Sequence, residues 1–237
     1  MNGKVVLIHV PKTAGSSLRA VLAHALGSVH GSSRKLIGVD DPQKGLPYFE
    51  GLAASAARRL PELFEDGLQV ISGHFRYRDI VPLLGQRRNK VSVITFLRDP
   101  VRRTLSDYYY SASGRHPGSD AFRDAYPTLE AYTRNSGEMN KQVDYLRPFE
   151  NAPLDLTIAN ALQNIDFIGL TERFEADVGQ LFDAIHAPYL PQPAQNVSVD
   201  RNPADMAYER HRALLEEILA PDIALYDAVA RHRRFPR

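Results

Sequence analysis

Residues 5–26 read VVLIHVPKTAGSSLRAVLAHAL, and this stretch decides the fold. Residues 5–10 form a nearly unbroken apolar run rich in valine, which is typical of a strand buried on both faces of a parallel sheet. From Leu18 onward, apolar side chains recur at helical spacing, which predicts an amphipathic helix. The stretch therefore predicts a buried strand, a turn of small residues and a helix, in that order.

The turn at residues 11–17 has the composition of an anion-binding site. The first N–H groups of a helix have no partner within the helix, and the helix dipole favours negative charge there. Gly15 allows the backbone to approach a phosphate closely, and Lys12 adds a positive charge. Ser16 and Ser17 can donate hydroxyl groups or cap the helix. The alternative is an ordinary turn in which Ser16 is the N-cap and Lys12 is solvated.

The order of the lysine and the glycine separates this turn from the nucleotide-binding Walker motif. In the pattern G-x-x-x-x-G-K-[ST], the lysine follows the last glycine. Here Lys12 precedes Gly15 by three positions, so the motif does not predict binding of ATP or GTP.

A second strand-to-helix junction lies at residues 91–108. Residues 91–97 read VSVITFL, a β-branched run that predicts another buried strand, and Arg98 follows it directly. Arg98, Arg102 and Ser106 are spaced by four residues, so their side chains are expected near one face of the following helix. This junction therefore predicts a second cationic group at the end of a strand.

Asp99-Pro100 marks the start of that helix. Aspartate is favoured at the N-cap because its carboxylate accepts amide hydrogen bonds, and proline is favoured at the first helical position. An aspartate after an apolar strand is also the position of a magnesium ligand in many nucleotide hydrolases. Asp99 and the anion-binding turn together leave open a small-molecule kinase or another nucleotide-dependent enzyme.

The two junctions resemble the donor-binding motifs of sulfotransferases that use 3′-phosphoadenosine 5′-phosphosulfate (PAPS). The sequence PKTAGSS is similar to their 5′-phosphosulfate loop, in the form found in the branch that includes carbohydrate 2-O-sulfotransferases and many small bacterial members. Residues 96–108 are similar to their 3′-phosphate block, in which an arginine and a serine eight residues later hold the 3′-phosphate. The resemblance implies that the donor is bound by Lys12, Thr13, Ala14, Gly15, Ser16, Ser17, Arg98 and Ser106.

The resemblance also implies the fold and the reaction. It implies a P-loop-like three-layer α/β fold with a central, mostly parallel sheet flanked by helices, in a single sulfotransferase domain over 1–237. It implies transfer of a sulfuryl group from PAPS to an acceptor hydroxyl of a glycan or a small molecule, with no metal required. The resemblance covers the two junctions well and the C-terminal third loosely, and residues 140–146 (NKQVDYL) resemble a segment near the acceptor site.

The rest of the chain continues the alternation of strands and helices, which by itself predicts an α/β fold with a mostly parallel sheet. Further strands are predicted at 35–39, 68–73 and 166–170. Helices are predicted at 48–66, 79–84, 128–134 and 156–165, after an N-cap at Thr171, and from Pro203 and Pro221 onward. The polar segment 114–140 is interpreted as an insertion or lid over the acceptor site.

His74 is the candidate general base. It follows the strand at 68–73, just as Lys12 and Arg98 follow theirs, and ligands of α/β folds bind at the carboxyl ends of strands. If these strands are neighbours, the three side chains converge. An imidazole titrates near ~6.5, which suits proton transfer at neutral pH. Gly73-His74-Phe75 also resembles a family segment in which a histidine is the base. His9 is predicted to be a core residue within the first strand.

Composition limits the remaining classes. The chain has 237 residues, a formal net charge of +1 and no cysteine, so neither a nucleic-acid partner nor a disulfide or thiolate metal site is expected. No apolar run reaches the ~20 residues that span a bilayer, and the first strand leaves no room for a signal peptide. A cytoplasmic enzyme is the expectation. A non-catalytic nucleotide- or glycan-binding module is the alternative from a different class.

Overall fold

A computed structural model of the chain describes residues 4–22, 25, 70–116, 118–189 and 203–232. Within these ranges the strands are β1 (Lys4–Ile8), β2 (Val70–Gly73), β3 (Val91–Leu97) and β4 (Phe167–Leu170). The helices are α1 (Gly15–Leu22), α2 (Tyr77–Leu84), α3 (Pro100–Ala112), α4 (Ser119–Ala125), α5 (Leu129–Thr133), α6 (Lys141–Leu146), α7 (Leu154–Asn164), α8 (Phe174–Ala184), α9 (Pro203–Ile218) and α10 (Ala220–His232).

The four described strands form one parallel sheet in the order β2-β1-β3-β4. Ile8, the last residue of β1, is level with Gly73 of β2 and Thr95 of β3. The amide of His9 extends this pairing by donating to the carbonyl of Gly73 over 2.9 Å. The strand that precedes Lys12 therefore lies between those that precede His74 and Arg98, and all three end at the same edge.

Helices cover both faces of the sheet, which gives a three-layer α/β fold. Val6 and Ile8 face one side, where they share a core cluster with residues of α6, α7 and α10. Val5 and Leu7 face the other side, where α1 and α8 complete a second cluster. All seven residues of β3 are buried, as expected for an interior strand of a parallel sheet. The predicted fold class is confirmed.

The segment 114–140 contributes to a third core cluster, which it shares with residues of α3 and α9. It forms α5, as predicted, and also α4, which was not predicted because its short sequence lacks an apolar stripe. Phe122 of α4 and Tyr132 of α5 pack with Tyr108 of α3, with ring centroids 5.9 and 5.6 Å from that of Tyr108. The role of this segment as a lid stays a prediction.

Two local predictions were wrong. β1 ends at Ile8, so His9 follows the strand and does not lie within it, although it is buried. Thr171 does not cap the helix after β4; its hydroxyl donates to the carbonyl of Leu97 over 3.0 Å. A 3₁₀ turn over Thr171–Arg173 intervenes, and α8 begins only at Phe174.

The predicted strand at 35–39 and the predicted helix at 48–66 lie outside the described residues. In the part of the chain that the structure does describe, none of the helices has both the length and the apolar character that a membrane crossing requires.

Candidate functional site

The three predicted cationic or basic side chains meet at the carboxyl edge of the sheet. Lys12 follows β1, His74 follows β2 and Arg98 follows β3. The Arg98 guanidinium donates to the carbonyl of Lys12, with Nη1 3.3 Å from the oxygen. His74 contacts His9, which lies two residues before that loop, through the His9 carbonyl and ring. The three residues therefore follow neighbouring parallel strands, which is the condition that their predicted convergence required.

The turn at residues 11–17 has an unusual backbone. Lys12 and Ala14 adopt positive φ angles of 68° and 59°, which cost on the order of 1 kcal/mol each in a residue other than glycine. Alternation of left- and right-handed residues turns successive N–H groups toward a common point, a geometry that binds anions. The Thr13 hydroxyl fixes the turn by donating to the carbonyl of Val10 over 2.9 Å. The side chain of Thr13 is thereby directed into the protein.

Gly15 is required by the His9 ring that packs against it. A Cβ at this position would lie 2.0 Å from the ring of His9, which is far inside van der Waals contact. α1 begins at Gly15, so Ser16 lies in its first turn and not at the N-cap. Ala14 takes the N-cap position, where its carbonyl accepts from the amide of Leu18 over 3.0 Å. Ser16 and Ser17 thus lie in the first turn of α1, where the backbone amides have no partner within the helix.

His74 and His9 form a stacked pair. Their ring centroids are 4.3 Å apart, and Nδ1 of His74 lies 2.8 Å from the carbonyl oxygen of His9. A carbonyl can only accept, so Nδ1 of His74 carries a proton and the lone pair of the neutral ring is on Nε2. Burial lowers the pKa of His9 well below its usual value, and the neighbouring His74, Arg19 and Lys12 lower it further. His9 is therefore neutral at physiological pH.

Lys12 is half-buried and surrounded by charged and aromatic groups. Its Nζ lies 3.7 Å from the ring centroid of Tyr110, which is 41% exposed on α3. Burial lowers the pKa of Lys12; Asp107 opposes this effect, whereas Arg98 and Arg103 add to it. Asp107 is thus the anion that helps Lys12 to retain its proton.

Arg98 lies between β3 and α3, and its backbone is bound by a side chain from a distant part of the chain. Gln142 of α6 accepts from the Arg98 amide and donates to the Arg98 carbonyl, both over 2.9 Å. Asp99 caps α3 as predicted, because its carboxylate accepts from the amide of Arg102 over 2.8 Å. Ser106 is half-buried on α3, one turn beyond Arg102.

A buried network of ion pairs lies behind Lys12. Arg103 is fully buried and donates to Asp107 over 3.0 Å, and Lys141 pairs with both Asp107 and Glu138. The Tyr132 hydroxyl is 3.1 Å from Glu138. Burial alone would raise the pKa of Asp107, but Lys141 and Arg103 outweigh it and hold that pKa at about 2. Asp107 is therefore ionised throughout the neutral range and compensates three cations.

Asp107→Asn is expected to lower the free energy of unfolding at pH 7 by about 3 kcal/mol, because it leaves buried cations without their anion. The native pKa of about 2 lies below the ordinary 3.8, so this stabilisation is complete above pH 3.8 and is lost as the pH falls toward 2. Urea unfolding at several pH values should show the difference between native protein and variant narrowing in acid. Asp120→Asn is the control, since the Asp120 side chain is 93% exposed and pairs with Arg123 on the surface. An equal effect of both substitutions would contradict the prediction.

Sequence reasoning missed several residues around the predicted site. His9 was assigned to the core within the first strand; it is buried, but it follows β1 and its ring stacks on that of His74. Arg103 and Asp107 are spaced as an i,i+4 ion pair, but their burial is not visible in the sequence. Tyr110 carries no such signal, and Gln142 was noted only as part of the segment 140–146, with no contact to Arg98 predicted.

No protein-family model matches the sequence, and a search of curated proteins returned no significant match. The functional interpretation therefore depends on the motifs and on the geometry of the sheet edge.

Proposed function

We propose that the protein is a sulfotransferase that moves a sulfuryl group from PAPS to an acceptor hydroxyl, with a carbohydrate as the expected acceptor class. The observation that carries the proposal is the meeting of the Lys12 loop, His74 and Arg98 at the ends of three neighbouring parallel strands. An anion-binding turn, a second cation and a base are the three groups that this transfer needs. The PAPS-binding motifs that the sequence resembles fall on the same residues.

In this proposal the donor lies along the carboxyl edge of the sheet. The backbone of residues 12–17 and the hydroxyls of Ser16 and Ser17 bind the 5′-phosphosulfate at the N-terminus of α1. Arg98 and Ser106 bind the 3′-phosphate, in which Arg98 makes charge-assisted hydrogen bonds. The contact between Arg98 and the Lys12 carbonyl links the two phosphate sites.

The transfer itself requires a base and a cation. The proton of the acceptor hydroxyl goes to Nε2 of His74 as the new oxygen–sulfur bond forms. The bond between sulfur and the bridging oxygen breaks, and its electron pair remains on the 5′-phosphate. Lys12 stabilises the charge that develops on this leaving group. As in phosphoryl transfer, the protein mainly aligns the groups and stabilises the shifting charge.

The kinase alternative loses part of its support. It relied on Asp99 as a magnesium ligand, and the Asp99 carboxylate caps α3 through the amide of Arg102. The Asp99 amide in turn donates to Glu172 over 2.9 Å. The position of Asp99 thus has a structural explanation at the start of the helix.

Adenosine 3′,5′-bisphosphate is expected to raise the melting temperature well above the value reached with equal concentrations of 5′-AMP, because only the bisphosphate engages Arg98. Arg98→Ala should remove most of this difference, whereas Arg123→Ala, at an exposed position on α4, should preserve it. Thermal unfolding at matched ligand concentrations measures the difference in melting temperature between the two nucleotides. Equal stabilisation of the native protein by the two nucleotides would show that no 3′-phosphate site exists and would overturn the proposal.

A further inference from the structure

Gln142 is fully buried, and its side-chain amide makes two hydrogen bonds to the backbone of a single residue, Arg98. Its oxygen accepts from the amide of Arg98 and its nitrogen donates to the carbonyl of Arg98, both over 2.9 Å. Arg98 comes after the last residue of β3 and before the first residue of α3. Gln142 therefore supplies to the Arg98 backbone the two hydrogen bonds that a neighbouring strand would otherwise provide.

Gln142 is itself held in place from the opposite side. Asp222 of α10 is fully buried and accepts from the amides of Gln142 and Val143, over 3.2 and 2.8 Å. Asn140 accepts from the amide of Asp222 over 3.1 Å and donates to the carbonyl of Ile218 over 3.1 Å. The start of α6 is thus fixed to the α9–α10 junction before Gln142 reaches Arg98.

The same short helix also binds the segment that follows His74. Asp144 accepts from the guanidinium groups of Arg76 and Arg78, over 2.7 and 3.1 Å. One turn earlier, Lys141 pairs with Asp107, the anion that supports the charge of Lys12. α6 therefore contacts the surroundings of all three site residues, and its contact with Arg98 is the most direct.

We propose that Gln142 is a positioning residue for recognition of the donor's 3′-phosphate: its two hydrogen bonds fix the Arg98 backbone, so that the guanidinium is directed to the phosphate site. This inference rests on the proposed function. A long side chain loses conformational entropy when it binds an anion, and this loss weakens binding. A fixed backbone leaves the side chain fewer conformations to lose, so the entropic cost of binding is smaller. Gln142 fixes the backbone end of Arg98, and the hydrogen bond from Nη1 to the Lys12 carbonyl orients the guanidinium end.

Removal of the Gln142 hydrogen bonds should reduce affinity for the bisphosphate but not for 5′-AMP, a selectivity that a purely structural role would not produce. Gln142→Leu keeps the side-chain volume and removes both hydrogen bonds, whereas Gln142→Glu keeps the acceptor for the Arg98 amide but cannot donate to the carbonyl while ionised. We expect Gln142→Leu to weaken binding of adenosine 3′,5′-bisphosphate by up to about tenfold, because the upper end of the cost of ordering one long side chain on binding corresponds to a factor of that size. Binding of 5′-AMP should change by less than about twofold, because 5′-AMP does not engage Arg98.

Calorimetric titration of each variant with both nucleotides provides the test, and Val143→Ala is the matched control. Val143 is the next residue of α6 and 1% exposed, so its truncation damages the same core without removing a side-chain bond to Arg98. The inference is supported if the preference for adenosine 3′,5′-bisphosphate over 5′-AMP, measured as the ratio of the two affinities, falls in Gln142→Leu and keeps its native value in Val143→Ala. If Gln142→Leu does not fold, Gln142→Glu takes its place, with a smaller loss in the same direction.

Two results would overturn the inference, and they are distinguishable. If the native protein prefers the bisphosphate and the Gln142 variants keep that preference, Gln142 has no positioning role but the proposed function stands. The inference fails in the same way if Val143→Ala alters the preference as much as Gln142→Leu. If the native protein itself does not distinguish the two nucleotides, the proposed function fails and the inference fails with it.

Discussion

His74→Asn is expected to lower turnover by ~10²–10⁴-fold, the usual contribution of a general base, while affinity for adenosine 3′,5′-bisphosphate stays within about twofold. An aliphatic hydroxyl does not release its proton at neutral pH without help. The hydrogen bond from Nδ1 to the His9 carbonyl leaves the lone pair of the neutral ring on Nε2, where it can accept that proton. The Asn amide can still donate to the His9 carbonyl, so the loop geometry should survive the change.

Steady-state rates with labelled donor, after a screen of glycans, small alcohols and phenols for an acceptor, measure the effect. The native rate should also fall in acid, because protonation removes the lone pair of Nε2. His211→Asn is the control, since His211 lies on α9 with Nδ1 3.7 Å from the Glu130 carboxylate and is not among the proposed site residues. Near-native turnover of His74→Asn would remove His74 from the mechanism.

Lys12→Ala is expected to lower turnover by ~10²–10³-fold, which is the typical cost of removing one group that stabilises transition-state charge. Binding of adenosine 3′,5′-bisphosphate should weaken much less, because the full charge on the leaving phosphate develops only as the sulfur–oxygen bond breaks. Asp107 favours the protonated form of Lys12 against burial, so the side chain can supply this positive charge.

Lys12→Met separates the charge from the packing. It keeps an apolar stem of similar length against Tyr110 and loses only the cation. Turnover and affinity for adenosine 3′,5′-bisphosphate are measured in parallel. Lys12→Met, like Lys12→Ala, should lose turnover far more than it loses this affinity. A variant that loses donor affinity but keeps its maximal rate would mean that Lys12 only tethers the donor.

The fold could be predicted because its signals are local. The apolar runs at residues 5–10 and 91–97 identified two interior strands, and Asp99-Pro100 identified the start of α3. The end of β1 could not be predicted in the same way. The apolar run continues to Val10, whereas the strand ends at Ile8, and hydrophobicity alone does not record where pairing stops.

The site could be predicted only as far as strand ends reveal it. Lys12, His74 and Arg98 each follow an apolar run, and parallel neighbours bring such positions together. The contacts that orient them join residues far apart in sequence: His9 with His74, and Arg98 with Gln142, are 65 and 44 positions apart. Thr171 was wrongly predicted as a cap because its carbonyl partner, Leu97, belongs to another strand. Such pairings depend on the assembled sheet and leave no periodic pattern.

The most direct test of the sulfotransferase proposal is a calorimetric titration of the native protein with adenosine 3′,5′-bisphosphate and, separately, with ATP and magnesium. In the proposal the bisphosphate is the desulfated donor, and its two phosphates bind to the Lys12 loop and to Arg98. We predict that the bisphosphate binds with a dissociation constant at least tenfold below that of magnesium ATP, a difference of about 1.4 kcal/mol. Tighter binding of magnesium ATP, or no binding of the bisphosphate, would contradict the proposal.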